Sequence, residues 1–334
     1  MFEIADRLLT AVDAGRRLAV ATAISIEGSA PRTVGTSMAW DGESVIGSIA
    51  GGCVEGAVVE ACELVLADGQ SRTVEYGVSD ETALSVGLTC GGQLRIHIRL
   101  LDQQLVDALK AGHPVASVVS GPGGFEHRIA AELAARSSSG LGVIDCDGEL
   151  LEVFYEVPTD PPTMIIFGAM EFSAALSDAA RMLGYRVTVC DPRSLFATAE
   201  RFPGAEIVVA WPTEWLPTVP VDQRTVICVL SHDARFDAEL IAQALATPAQ
   251  YVGAMGSRRT HDRRVASLRE RGVDERSILR LHSPIGLDLG ASTVEETAIS
   301  ILAEVIASRT RSSAASLTRM QGDIHRPVLF GPAG

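Results

Sequence analysis

The chain has 334 residues, a length that predicts two domains, each large enough for its own core. Its formal net charge of −14, from 42 acidic against 28 basic residues with no basic block, speaks against nucleic acid as a partner. No apolar run reaches the roughly 18–20 residues of a membrane span, and the 6 cysteines form no CxxC pair, so a reduced, cytoplasmic protein is expected.

The opening MFEIADRLLTAVDAGRRLAV carries acidic residues within an amphipathic pattern, unlike a signal or transit peptide. RRLAVATAISIEGSAPRTVGTSMAW reads as a strand, a turn around Gly28 to Pro31, and a second extended segment. In SIAGGCVEGAVVEAC a cysteine stands between two glycines and an acidic helix. From there Val54, Ala57, Val58, Ala61 and Val65 fall on one helical face, and Asp68-Gly69 ends the pattern with a residue suited to a left-handed cap. Cys53 thus lies at or just before a helix N-terminus, where unpaired N–H groups and the positive end of the dipole favour a thiolate. Gly51 and Gly52 leave room for a ligand to approach. Glu55, in the first turn, opposes a second negative charge, and a cysteine that simply packs is the plain alternative. GQLRIHIRLL alternates apolar and polar residues as a half-buried strand, with His97 expected to face outward. It follows GLTCGG, which places Cys90, with Gly91 and Gly92, in a second glycine-rich corner. ASVVSGPGGFEHRIA and LGVIDCDGELLEVFYEV read as further strands, so the first half is a strand-rich α+β domain.

VPTDPPT, with three prolines in seven residues, reads as a linker, and the grammar changes after it. TMIIFGA, YRVTVCD, AEIVVAW, TVICVL and AQYVGAMGS are apolar strands, alternating with helices such as EFSAALSDAARMLG, DARFDAELIAQAL and RRTHDRRVASLRERG. That order predicts a doubly wound parallel sheet. STVEETAISILAEVIASR is a final helix with Glu296 placed for a capping box.

Strand, GAMEFS, helix, strand and Asp191 follow the layout of a dinucleotide-binding unit, with Gly168 at the tight turn and Asp191 where a ribose-binding acid belongs. Met170, however, replaces the glycine that admits the pyrophosphate, and Glu171 adds negative charge at the helix start. Both residues speak against NAD(P) or FAD. Later strand ends carry His232 and Asp233, then Gly256, Ser257 and Arg258 at a helix start, groups that suit a phosphate or pterin-type anion. Helix capping by the first pair and a solvated arginine face are the plain alternatives.

EGSAPRTVGTSM, IGSIAGGCVEG, SDETALSVGLTCGG, YVGAMGSRRT and LHSPIGLDLGASTVEETAISILAEVIA, in this order, resemble the XdhC/CoxI family, the accessory proteins of xanthine and carbon monoxide dehydrogenases. The resemblance implies an XdhC/CoxI domain over residues 1–157, a Rossmann-like C-terminal domain over 163–310, and a tail over 311–334. It implies a maturation chaperone rather than a catalyst. Such a protein binds molybdenum cofactor, assists its sulfuration and inserts it into a xanthine dehydrogenase-type molybdenum hydroxylase, with a cysteine desulfurase as a further partner and a homodimer as its form. On that reading a Cys53 thiolate ligates or screens the metal, Cys90 shares the work or relays sulfur, and Arg32 takes the cofactor's phosphate. The two cysteines are then expected to face the second domain's strand ends across a cleft. An NAD(P)-dependent oxidoreductase and a cofactor-free partner subunit of a molybdenum enzyme remain open as alternatives.

Overall fold

Period-two alternation in the first half builds a sheet with two covered faces, as a computed structural model describing residues 1–27, 32–77, 93–233 and 235–321 shows. The described chain divides into two units, Met1–Thr159 and Asp160–Gln321. The first opens with helix α1 (Ala5–Asp13), strands β1 (Ala19–Glu27), β2 (Ser37–Trp40) and β3 (Val45–Gly47), and helix α2 (Glu55–Asp68). Strands β4 (Arg72–Tyr76) and β5 (Gln93–Leu100) follow, then α3 (Gln103–Ala111), β6 (Val115–Ser120), α4 (Glu126–Ala135), β7 (Gly140–Cys146) and β8 (Glu149–Glu156). The strands form two antiparallel sheets, in the orders β3-β2-β1-β5-β4 and β6-β8-β7.

One face of the larger sheet presents Ala19, Ala21, Ala23, Leu94, Ile96 and Ile98 to the buried stripe of α2, Val58, Ala61, Cys62 and Val65. Small side chains on β1 let the helix approach closely, and Gly69 ends it in the left-handed conformation. The other face is partly apolar, with Leu18 and Val20 against Leu8, Leu105 and Leu109 of α1 and α3. It is also charged. Arg95 makes a two-pronged contact with Glu152 (2.8 and 2.9 Å), and Arg99 reaches Glu156 at 2.7 Å, so β5 is tied to β8 of the smaller sheet. His97, between these arginines, therefore does not face water: it is 5% exposed and shares a 3.1 Å hydrogen bond with the Thr73 hydroxyl. Burial, and then the charge of Arg99, lowers its pKa to about 4, so the ring is neutral at physiological pH. A second departure is α4, where a strand was expected. Phe125, Ile129 and Leu133 recur every four residues and pack on Cys146, Leu151, Val153 and Tyr155.

The second unit contains β9 (Thr163–Phe167), α5 (Glu171–Met182), β10 (Arg186–Cys190), β11 (Glu206–Val208), α6 (Pro212–Trp215), β12 (Val226–Val229), α7 (Asp237–Ala246) and β13 (Tyr251–Ala254). It closes with α8 (Arg258–Glu270), α9 (Glu275–Ile278), β14 (Leu281–His282) and α10 (Val294–Thr310), whose N-terminus is held by a Thr293–Glu296 capping box. Its six parallel strands run in the order β11-β10-β9-β12-β13-β14, the expected Rossmann-like doubly wound sheet. Met164, Ile166, Val187 and Val189 face α5 and α10 on one side. Ile165, Phe167, Ile227 and Val229 face α7 and α8 on the other. No helix among the described residues is long and apolar enough to cross a membrane.

The strand order reverses between β9 and β12, and there the chain is packed tightly. Gly168 has φ +105°, its N–H donates to Cys190 O at 2.9 Å, and a Cβ there would lie 2.9 Å from Ser231 N. Gly184 is also left-handed, at φ +82°, but a Cβ there meets no atom within 4 Å. Gly168→Ala is therefore expected to destabilise the unit by about 2–4 kcal/mol, conformational strain plus overpacking, against about 1 kcal/mol for Gly184→Ala. Urea unfolding followed through Trp211 and Trp215 fluorescence in a Trp40→Phe background checks the difference; equal losses would contradict it.

Candidate functional site

Cys53 precedes α2 by two residues, on a loop whose backbone closes around one carboxylate. Glu55 Oε1 accepts from the Ser48 hydroxyl (2.9 Å), Ile49 N–H (3.3 Å) and Ala50 N–H (2.9 Å). Its Oε2 accepts from Gly52 N–H (2.8 Å) and Val54 N–H (3.3 Å). The loop can curl this way because Gly51 and Gly52 take φ +77° and +113°; the space beside both glycines is open. Partial burial raises the Glu55 pKa, but the hydrogen bonds from Ala50, Ser48 and Gly52 outweigh it and hold the pKa at about 2, below an ordinary 4.5. The sequence reading expected unpaired N–H groups beside Cys53. The structure engages the N–H groups of the preceding loop, those of Ile49, Ala50, Gly52 and Val54, with Glu55, while the helix start itself has no side-chain cap.

Cys53 is a free thiol, half-buried against the edge of the α2 core. Cys62, Cys146, Cys190 and Cys228 are buried free thiols. Burial raises Cys62 and Cys190 to about 12, which keeps both protonated. Arg32 is exposed. Cys90, Gly91 and Gly92 lie outside the described residues. No group of three or more His, Cys, Asp or Glu side chains that could hold a metal occurs among the described residues.

The second unit gathers its predicted residues at the C-terminal ends of β9, β10, β12 and β13. Their side chains are largely committed to one another. Asp191 is 2% exposed; it accepts from Ala169 N–H (2.7 Å) and Arg193 N–H (2.9 Å), and Arg193 Nε and Nη2 clasp it at 2.9 and 2.7 Å. Burial raises its pKa, but Arg193 and Ala169 together bring it below the ordinary carboxylate value. Both carboxylate oxygens thus already have donors within the chain. Glu171, at the start of α5, pairs with Arg201 at 2.8 Å, and Arg201 also caps Ala169 O at 3.1 Å. Asp233 is held by Arg235 at 2.5–2.9 Å, which lowers its pKa to about 2, while His232 is exposed. Asp233 does not cap α7 with its side chain; Phe236 holds that position. The Ser257 hydroxyl caps α8, accepting from Thr260 N–H at 3.2 Å, while Gly256 packs near Arg264 and Arg258 is exposed. Arg193 and Arg235 lie over Phe196 and Trp211, at 4.7 and 5.1 Å from the ring centroids. Sequence reasoning missed these two arginines and Arg201. The signal was present: DPR and DAR, an Asp-x-Arg unit just past two parallel strands.

Glu55 yields a pH test. A carboxylate whose folded pKa is lowered contributes stability that is fully present above about 4.5 and lost as pH falls towards 2. Wild-type protein is expected to lose more stability across that range than Glu55→Gln does, measured by thermal melts. Glu55→Ala, which leaves four N–H groups without their acceptor, is expected to cost about 1–3 kcal/mol at neutral pH.

Comparison with known proteins follows the same two-part layout. A family model described as the XdhC Rossmann domain matches residues 164–305, and one described as the XdhC and CoxI family matches residues 11–77. The chain is 27% identical over 315 residues to a probable xanthine dehydrogenase subunit of Bacillus subtilis, covering 87% of this chain and 93% of that protein. It is 26% identical over 308 residues to the molybdenum cofactor insertion chaperone PaoD of Escherichia coli, covering 90% and 86%. A crystal structure described as a xanthine dehydrogenase from Bacillus halodurans superposes with a TM-score of 0.69 at 25% identity, over 94% of this chain and 98% of that one. With one family model in each unit, in the same order, this chain belongs to the XdhC/CoxI family.

Proposed function

We propose that this protein binds molybdenum cofactor, assists its sulfuration and delivers it to a molybdenum hydroxylase of the xanthine dehydrogenase type. One observation carries the reading: among the described cysteines, Cys53 alone is not buried, and it stands on a loop whose shape is set before any ligand arrives. The likeness to PaoD, a molybdenum cofactor insertion chaperone by name, supports the same assignment. A bound molybdenum cofactor would supply a metal centre able to take one thiolate. Cys53 would hold or screen that metal, and exposed Arg32 would pair with the cofactor's phosphate through its planar guanidinium. Because Glu55 already fills the loop's N–H cradle, the phosphate is assigned to Arg32 and not to Gly51 and Gly52. Cys90 remains the proposed sulfur relay, with Gly91 and Gly92 as its neighbours. A cysteine desulfurase donor, a cytoplasmic setting and a homodimer complete the proposal.

Cys53→Ala is expected to reduce retained molybdenum and pterin roughly tenfold relative to Cys62→Ala, the loss of one charge-assisted or metal-ligand contact. Metal analysis together with fluorescence of the oxidised pterin provides the measurement, and equal retention by both variants would end the proposal. A reading without NAD(P) or FAD is supported by the closed contacts of Asp191 with Arg193 and of Glu171 with Arg201. Calorimetry with NAD, NADP and FAD is expected to show no binding at micromolar cofactor. A micromolar dissociation constant for any of the three would favour an oxidoreductase instead.

A further inference from the structure

A third cluster in the second unit involves none of these groups. Tyr251 opens β13, His282 closes β14, and Glu304 belongs to the second half of α10. The Tyr251 hydroxyl donates to Glu304 Oε2 at 2.5 Å, and Gly286 N–H donates to the same oxygen at 2.8 Å. His282 Nδ1 lies 3.1 Å from Glu304 Oε1, and its ring stacks on Tyr251, with centroids 4.4 Å apart and planes at 24°. Two independent constraints therefore orient the imidazole: a stacked ring and an anchored carboxylate. Nδ1 is engaged, so Nε2 is the ring nitrogen left for a ligand.

His282 and Glu304 line a cavity of about 350 Å³ with Leu287, Ser308, Arg311 and Ser312. With Nδ1 turned to Glu304, His282 leaves Nε2 to the cavity, while Arg311 offers donors only. A phosphate monoester complements both: its anionic oxygens accept from Arg311, and a further oxygen meets Nε2 either as an acceptor or through its own O–H, whereas an ionised carboxylate can only accept. Ser308 and Ser312 add hydroxyls that turn to either role, and Leu287 gives an apolar wall for an organic substituent.

We propose that this cavity binds a small phosphate monoester, its oxygens held by Arg311 and by His282 Nε2, which Glu304 orients. The site is independent of Cys53 and of cofactor handling. Calorimetry on the full chain with glycerol phosphate, inorganic phosphate and acetate tests it. Glycerol phosphate is expected to bind tightest and acetate weakest. Arg311→Gln and His282→Gln are each expected to weaken glycerol phosphate by about tenfold, the loss of one charge-assisted or oriented hydrogen bond. Arg311 is exposed, so its variant is expected to melt like wild type, which separates lost binding from lost fold. Absence of saturable heat with glycerol phosphate, or unchanged affinity in Arg311→Gln, would overturn the site. Inorganic phosphate or acetate binding as tightly as glycerol phosphate would overturn its assignment to a monoester.

Discussion

Where a glycine turn leads into a helix, backbone N–H groups are freed and must find acceptors. In both units of this protein the acceptor is a carboxylate of the chain itself. Glu55 collects four N–H groups and a hydroxyl in the first unit; Asp191 collects those of Ala169 and Arg193 in the second. The consequence differs between them. In the first unit the carboxylate stiffens a loop that presents a half-exposed thiol. In the second it holds the turn after β9 and is itself clasped by Arg193.

Arginines complete both arrangements, in environments of different worth. Asp233 and Arg235 pair at the surface, where solvent screens the attraction and an ion pair contributes little. Glu156 and Arg99 pair at 2% and 14% side-chain exposure between the two sheets of the first unit. Glu156 also takes the Met1 ammonium at 2.7 Å, so removing Glu156 strands buried positive charge, at a cost of about 3–5 kcal/mol. The Asp233–Arg235 pair, set over Trp211, therefore adds little to stability. The buried pair acts on the assembly of the sheets, whose burial of His97, with the charge of Arg99, keeps that imidazole neutral.

Helix α10 links local signals to a distant cluster. Its capping box starts the helix, its apolar stripe of Ala298, Ile301, Leu302 and Val305 seats it on the sheet, and that seating brings Glu304 to Tyr251 and His282. The imidazole's orientation thus depends on a helix packed for hydrophobic reasons. The same logic holds for Cys53, whose place at the loop rim depends on how α2 packs over Ala19, Ala21 and Ala23.

By itself the sequence determined the two-part α+β and doubly wound plan, the course of α2 to its Gly69 cap, the Thr293–Glu296 box and the family. These features rest on periodicity, caps and short motifs, which are written within a turn or a pleat of one another. The tertiary structure decided what covers each face and which polar groups meet. Alternation assigned Arg95, His97 and Arg99 to one face of β5, but the cover of that face came from β8, more than fifty residues on. Helix α4 was hidden in a glycine-bounded stretch because its apolar spacing gains meaning only against β7 and β8. Glu55 was read as a charge opposing a thiolate, whereas folding made it the acceptor around which the loop closes. Tyr251, His282 and Glu304 share no local pattern. Matching a donor to an acceptor across tens of residues is a property of the packed chain, and only packing could bring those three together.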